Sequence, residues 1–188
     1  MWKKIIIAIV AMVCAEQAAH AVEVQRVQPF EVELGGGMTV PIDDRYSGAD
    51  RLIGPTFDLE MRYNFSGTPW ACGMFVAMDW ASWNQDSQIY NPYSHHNRTL
   101  RIGFLGEYNL RQGKRVNPFA SMGIGVGFSD NIGDTATDPS RTLPVFVPKV
   151  GVEFYRWLRV NAFFQISQKG YNVFGLTVGF TLGGRPRN

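Results

Sequence analysis

Residues 56 to 65 alternate without a fault. Phe57, Leu59, Met61, Tyr63 and Phe65 share one parity. Asp58, Glu60, Arg62 and Asn64 share the other. Side chains of an extended chain point to opposite faces in turn, so this spacing predicts a strand with one apolar and one charged face. A helix with the same residues would mix the two sets on every side.

The period of two recurs along the chain and predicts eight strands. The first runs from Phe30 to Ile42 and the second from Thr56 to Phe65. The third runs from Trp70 to Trp83, the fourth from Arg98 to Leu110, and the fifth from Val116 to Ser129. The sixth spans Val145 to Tyr155, the seventh Leu158 to Ser167, and the eighth Asn172 to Leu182. Each has roughly ten to fourteen residues, the length a tilted strand needs to cross a bilayer. The connections alternate as well. Asp43–Arg51, Asn84–Asn97 and Asp130–Thr142 are long and polar, whereas Ser66–Pro69, Arg111–Arg115 and Arg156–Trp157 are short. The seventh connection, Gln168–Gly170, is short where the rhythm leads one to expect a long one. Pro118 and Pro148 fall inside strands five and six, where each removes a ladder hydrogen bond.

Alternation alone does not say which face looks outward. The distribution of residue types does. The charged parity carries Glu31, Glu33, Asp58, Glu60, Arg62, Asp79, Arg101, Glu107, Lys149, Glu153 and Arg159. Glycines at 35, 37, 73, 103, 123, 125, 127, 151, 175 and 179 lie among them. Glycine weakens a solvated strand, but inside a narrow barrel it leaves room for large neighbours. The other parity is almost purely apolar, and its aromatics gather near strand ends. Phe30, Tyr63, Phe65, Trp70, Tyr108, Trp157 and Phe180 fall at the turn end, and Trp80, Phe128, Phe146 and Phe174 at the loop end. Two such belts suit the two interfaces of a membrane. The expected fold is therefore all-β: an eight-stranded antiparallel up-and-down transmembrane β-barrel with charge inside. A soluble lipocalin-like barrel is the alternative, and it requires the opposite orientation.

The N-terminus fits export. Lys3 and Lys4 precede an apolar run, Ile5–Val13, that is too short to span a membrane, and Ala19-His20-Ala21 supplies a small-residue cleavage pattern. Residues 1–21 are read as a signal peptide cut after Ala21, leaving 22–188 as one domain in the bacterial outer membrane. Cys14 leaves a lipoprotein signal as the rival, although Val13 is not the small residue such processing favours. With Cys14 in the signal, Cys72 stands alone, so no internal disulfide is available. Cys72 falls on the apolar parity, as a small surface residue. No stretch after Val13 is long and apolar enough for a membrane helix. The formal charge of +2 includes no dense basic run, so no nucleic-acid partner is expected.

The alternating segments, the aromatic belts and the Phe174–Leu182 strand together resemble the small eight-stranded outer-membrane barrels of the OmpX and OmpA transmembrane-domain type. The likeness covers nearly all of residues 22–188 and rests on pattern. Such barrels commonly end on an aromatic residue, whereas here Gly183–Asn188 follow Phe180 and Leu182. The resemblance implies a monomer in contact with lipopolysaccharide and phospholipid. It also offers a precedent for enzymes of this shape that act on lipid A.

An eight-stranded lumen is just wide enough for side chains to fill. The sequence is accordingly read as a non-enzymatic, filled barrel that contributes to envelope structure or to surface contact through its loops. The enzymatic alternative rests on Ser94, His95 and His96, which are placed in the loop after strand three, where a serine–histidine pair could form a nucleophile. The two histidines with Asp86 are too few for a metal site. Gly123-Ile124-Gly125-Val126-Gly127 resembles a phosphate loop but lacks its lysine and helix. No catalytic, cofactor or metal residue is assigned.

Overall fold

In the computed structural model, residues 26–43, 49–85, 93–132 and 140–184 are described. The proposed export segment, residues 1–21, lies outside them. The strands are β1 (Phe30–Pro41), β2 (Asp50–Leu52), β3 (Gly54–Asn64), β4 (Trp70–Gln85), β5 (Tyr93–Asn109), β6 (Val116–Ile132), β7 (Arg141–Phe154), β8 (Leu158–Gln165) and β9 (Val173–Gly183). The short β2 and β3 are one stave interrupted at Ile53, since both pair with β4. Every pairing is antiparallel. Along the sequence each stave pairs with the next, and β1 pairs with β9 to close the ring. The result is an eight-stave up-and-down barrel.

The inside and the outside are those expected from the alternation. All eleven charged residues assigned to the interior parity are buried. The opposite parity forms an apolar outer wall, with Phe30, Leu34, Phe104, Ile124 and Leu182 among its most exposed side chains. A lipocalin-like orientation is therefore excluded, because the apolar set faces outward. The aromatic residues also gather in two groups. At the turn end Phe30 packs edge-on against Tyr63 at 5.3 Å, Trp70 against Tyr108 at 4.8 Å, and Trp157 stacks on Phe180 at 5.6 Å. At the loop end Phe57 meets Trp80 and Phe164 meets Phe174.

The glycines serve the filling of the lumen. A β-carbon on Gly123 would sit 2.9 Å from the Phe75 ring, and one on Gly151 would sit 2.6 Å from Phe119. Each glycine leaves space that an aromatic ring from another stave occupies. Phe75, Leu105, Val147 and Phe163 form an apolar layer across the middle.

Three expectations need correction. Strands β4, β5 and β6 run further than the alternation indicated. They reach Gln85, back to Tyr93, and to Ile132, because cross-strand pairing continues through polar residues. Tyr155 is not in the lumen. It sits in the β7–β8 turn with φ 52° and is 65% exposed, since a left-handed residue breaks the alternation. The expected strand seven is also shorter, for β8 ends at Gln165, with only an isolated Phe146–Ile166 bridge beyond. The β7–β8 ladder is interrupted opposite Pro148, which has no N–H to donate.

Candidate functional site

The lumen is the first place to look for function, and it is occupied. The turn-end layer centres on two arginines. Arg62 on β3 pairs with Glu31 and Glu33 of β1 and with Glu60, the last two at 2.6 and 2.7 Å. Arg159 on β8 pairs with Glu31 at 3.1 Å, with Glu33 at 3.2 Å and with Glu107 of β5 at 2.7 Å. Its guanidinium also lies 3.6 Å from the Phe119 ring centroid. Lys149 on β7 reaches across to Glu60. Below them, toward the turns, Asn117 Nδ2 donates to Asn109 and to Glu153, and Gln112 Nε2 donates to Asn64.

This layer arises because alternation turns the charged residues of β1, β3, β5, β7 and β8 inward at similar depths. Register then brings them together: Glu31 faces Arg62 across the β1–β3 pair, and Glu153 faces Arg159 across β7–β8. Buried charges of this kind need partners, and most have several. A second layer nearer the loops joins Arg101 to Asp79 at 2.6 Å, with Thr56 donating to the same carboxylate.

Between the two layers lies a cavity of about 20 Å³, bordered by Asp58, Glu60, Arg101, Lys149, Phe75 and Phe163. That is room for about one water. Neither Asp58 oxygen has a hydrogen-bond partner among the described residues. Toward the loop side, Trp83 fills the lumen among the described residues. Trp83, 1% exposed, packs with Ala81 and Val173, and its indole N–H donates to Asp43 O at 3.4 Å. Asp43 Oδ2 accepts from Gly170 N–H and from Asn172 Nδ2, tying the β1 end to the β8–β9 connection.

The histidines lie elsewhere than expected. His95 and His96 are on β5, not in a loop, opposite Trp83 and Ser82 of β4. The polar character of residues 93–97 hid a strand that rises past the apolar wall. His96 Nδ1 lies 2.8 Å from Ser82 Oγ. The serine brought to His96 is therefore Ser82, which register selects and sequence adjacency does not. The pair is on the outer face, since Ala81, Trp83 and Asn97 face inward. One row nearer the membrane-facing wall are Trp80, Arg98 and Asp130, with Arg98 and Asp130 in an ion pair at 3.3 Å. Among the described residues no carboxylate orients the second ring nitrogen of His96. Ser94 lies on the same strand, opposite Asn84. Asp86 lies outside the described residues, and no cluster of metal-ligating residues occurs among the described ones. Cys72 is exposed on the outer wall, as expected. Gly123–Gly127 form the middle of β6, a barrel wall and not a phosphate loop.

No protein-family model matches the chain, and no curated protein matches it significantly in sequence. Solved structures match it in fold. Neisserial surface protein A (NspA) aligns with a TM-score of 0.55 at 14% identity, over 81% of this chain and 96% of that one. The outer membrane protein OprG from Pseudomonas aeruginosa aligns with a TM-score of 0.55 at 12% identity, over 84% of this chain and 98% of that one. The Yersinia pestis outer membrane protein Ail, in a phospholipid bilayer nanodisc, aligns with a TM-score of 0.51 at 14% identity, over 81% and 99%. At these identities the likeness shows the fold alone, and that fold is the small eight-stranded barrel of outer-membrane proteins.

Proposed function

We propose that this chain is a non-enzymatic barrel of the bacterial outer membrane, contributing to envelope structure or surface contact through the connections at its loop end. The observation that carries this reading is the inversion of the molecule. Charge is paired inside and apolar side chains cover the outside. Only a closed barrel satisfies its backbone in hydrocarbon, and only hydrocarbon makes such an exterior stable. The filled lumen leaves the connections β1–β2, β4–β5 and β6–β7 as the places for specific contact, because rigid staves present them at one end. Export by a signal cut after Ala21 and a monomeric state complete the proposal. Lipopolysaccharide and phospholipid are its surroundings.

Membrane fractionation with protease shaving of intact cells tests this. The protein is expected in the outer-membrane fraction, with cleavage confined to the loop-end connections, and mass spectrometry is expected to show an N-terminus at Val22. Recovery in the soluble periplasmic fraction would sink the reading.

A lipid A-modifying enzyme is the second reading, favoured by one contact, Ser82 Oγ to His96 Nδ1 on the outer face. A serine activated by a histidine there would stand beside lipid. Overexpression of the protein and of Ser82→Ala and His96→Ala separates the two. An altered lipid A mass that either substitution abolishes supports the enzyme. An unchanged lipid A spectrum supports the structural role.

A further inference from the structure

Among the described residues, the turn end of the barrel carries charge of one sign in its connections. Its connections are 26–29 before β1, 65–69 between β3 and β4, 110–115 between β5 and β6, and 155–157 between β7 and β8. They contain Arg26, Arg111, Lys114, Arg115 and Arg156, and no Asp or Glu. The loop end is mixed, with Asp43, Asp50 and Asp130 near Arg51, Arg98 and Arg141.

Four of those five cations sit on two neighbouring turns. The turns are tied together. Arg156 Nε donates to Gly113 O at 2.8 Å, and Tyr155 N–H donates to Arg115 O at 2.6 Å. The tie brings Arg111, Arg115 and Arg156 to one place on the turn end, where clustered guanidinium groups attract anions.

The second turn is conformationally strained. Trp157 N–H closes on Phe154 O at 3.2 Å, and both central residues have positive φ, 52° at Tyr155 and 67° at Arg156. A turn of that shape favours Asn-Gly, because a β-carbon crowds the left-handed conformation. Here it holds two of the largest side chains. Strain of this kind persists where the side chains it positions are used. The turn docks Arg156 on the neighbouring turn with its two Nη groups uncommitted among the described residues. It leaves Tyr155 65% and Trp157 45% exposed.

We infer that the Arg111–Arg115 and Tyr155–Trp157 turns form a binding site for the phosphate headgroup of an anionic phospholipid in the leaflet that faces the turns. The inference rests on the reading of the chain as a membrane-inserted barrel. Position selects a lipid over a soluble anion. The cations lie just beyond Tyr108, Trp157 and Phe180, the aromatic residues that end the apolar wall, so a phosphate among them is at headgroup depth. Guanidinium groups supply paired donors to phosphate oxygens. The exposed wall residues Val116 and Val150 continue from the same turns and provide an apolar surface for the acyl chains.

Native mass spectrometry of the exported protein in detergent tests the site. The protein is equilibrated with equal amounts of dioleoyl phosphatidylglycerol and dioleoyl phosphatidylcholine. Each cation near a phosphate is worth about fivefold in affinity, so the wild type is expected to favour phosphatidylglycerol by about fivefold or more, less at high salt. The Arg111→Gln/Arg115→Gln/Arg156→Gln variant is expected to fall within about twofold of parity. An Arg98→Gln/Arg141→Gln variant at the loop end is expected to keep the preference. Equal retention of both lipids by the wild type, or an undiminished preference in the triple variant, overturns the inference. Gel migration with and without boiling is read for each sample, and Arg115→Gln alone, expected to lose part of the preference, replaces the triple variant if that fails to fold. A wild type that shows no heat shift and does not enter membranes overturns the membrane reading itself. Normal insertion without lipid preference overturns only the site.

Discussion

Arg159 is held on three sides by Glu31, Glu33 and Glu107 and covered by the Phe119 ring. It is 1% exposed, so its removal leaves Glu107 buried without its close cation and Glu31 and Glu33 sharing Arg62 alone. Breaking a buried ion pair from one side costs about 3–5 kcal/mol. Arg159→Met is therefore expected to lower stability by about that amount in urea unfolding from lipid vesicles. Arg98, whose pair with Asp130 is partly exposed to solvent, is the contrast: Arg98→Gln is expected to leave the unfolding midpoint nearly in place. Gly123 tests the packing side of the same lumen. A side chain there meets Phe75 and Val147, so Gly123→Val is expected to cost about 1–3 kcal/mol through overpacking, read in the same unfolding experiment. The parity of each of these residues was readable in the sequence. Their partners were not, because Glu107 and Arg159 meet only when staves far apart in the chain face each other across a closed ring.

Strands β5 and β6 have 17 residues each and β8 has 8. Seventeen residues extend roughly 55 Å, well past the apolar thickness a barrel has to cover even when tilted. One side of the molecule thus stands above the wall as a paired sheet, while the β8–β9 side stops low. The sequence pattern could not show this. Alternation is legible only where one face is continuously apolar, and in Ser94–Asn97 both parities are polar. Residues such as Ser94, His95 and His96 look like a loop for that reason alone. Pairing with Ala81–Gln85 is the observation that separates the two. In hydrogen exchange, the amides of residues 93–97 are expected to be protected as a strand, not to exchange at the rate of an open loop. Pro148 is the converse case. It was visible in the sequence as a defect, and the structure shows where the defect falls, at the gap in the β7–β8 ladder.

At the scale of the molecule, two ionic layers, an apolar layer and the Trp83 seal follow one another along the lumen. A solute would have to break several paired charges to pass. In planar bilayers the protein is expected to give no stepwise conductance, and Trp83→Ala is not expected to open one, because the Arg62 and Arg159 layer remains. In gels it is expected to migrate differently before and after boiling, as a closed barrel resists detergent until heated. Discrete channels in the wild type would contradict the filled lumen. The sequence by itself determined the number of staves, their alternating faces and the orientation of those faces. Those follow from local rules: a period of two, and a distribution of glycine, charge and aromatic residues that only one solvent arrangement accommodates. Only the tertiary structure decided which charges pair, that Ser82 and not Ser94 meets His96, how far β4, β5 and β6 rise, and that four cations share two tied turns. Each of these depends on register and ring closure, which bring together residues whose separation along the chain carries no signal of their contact.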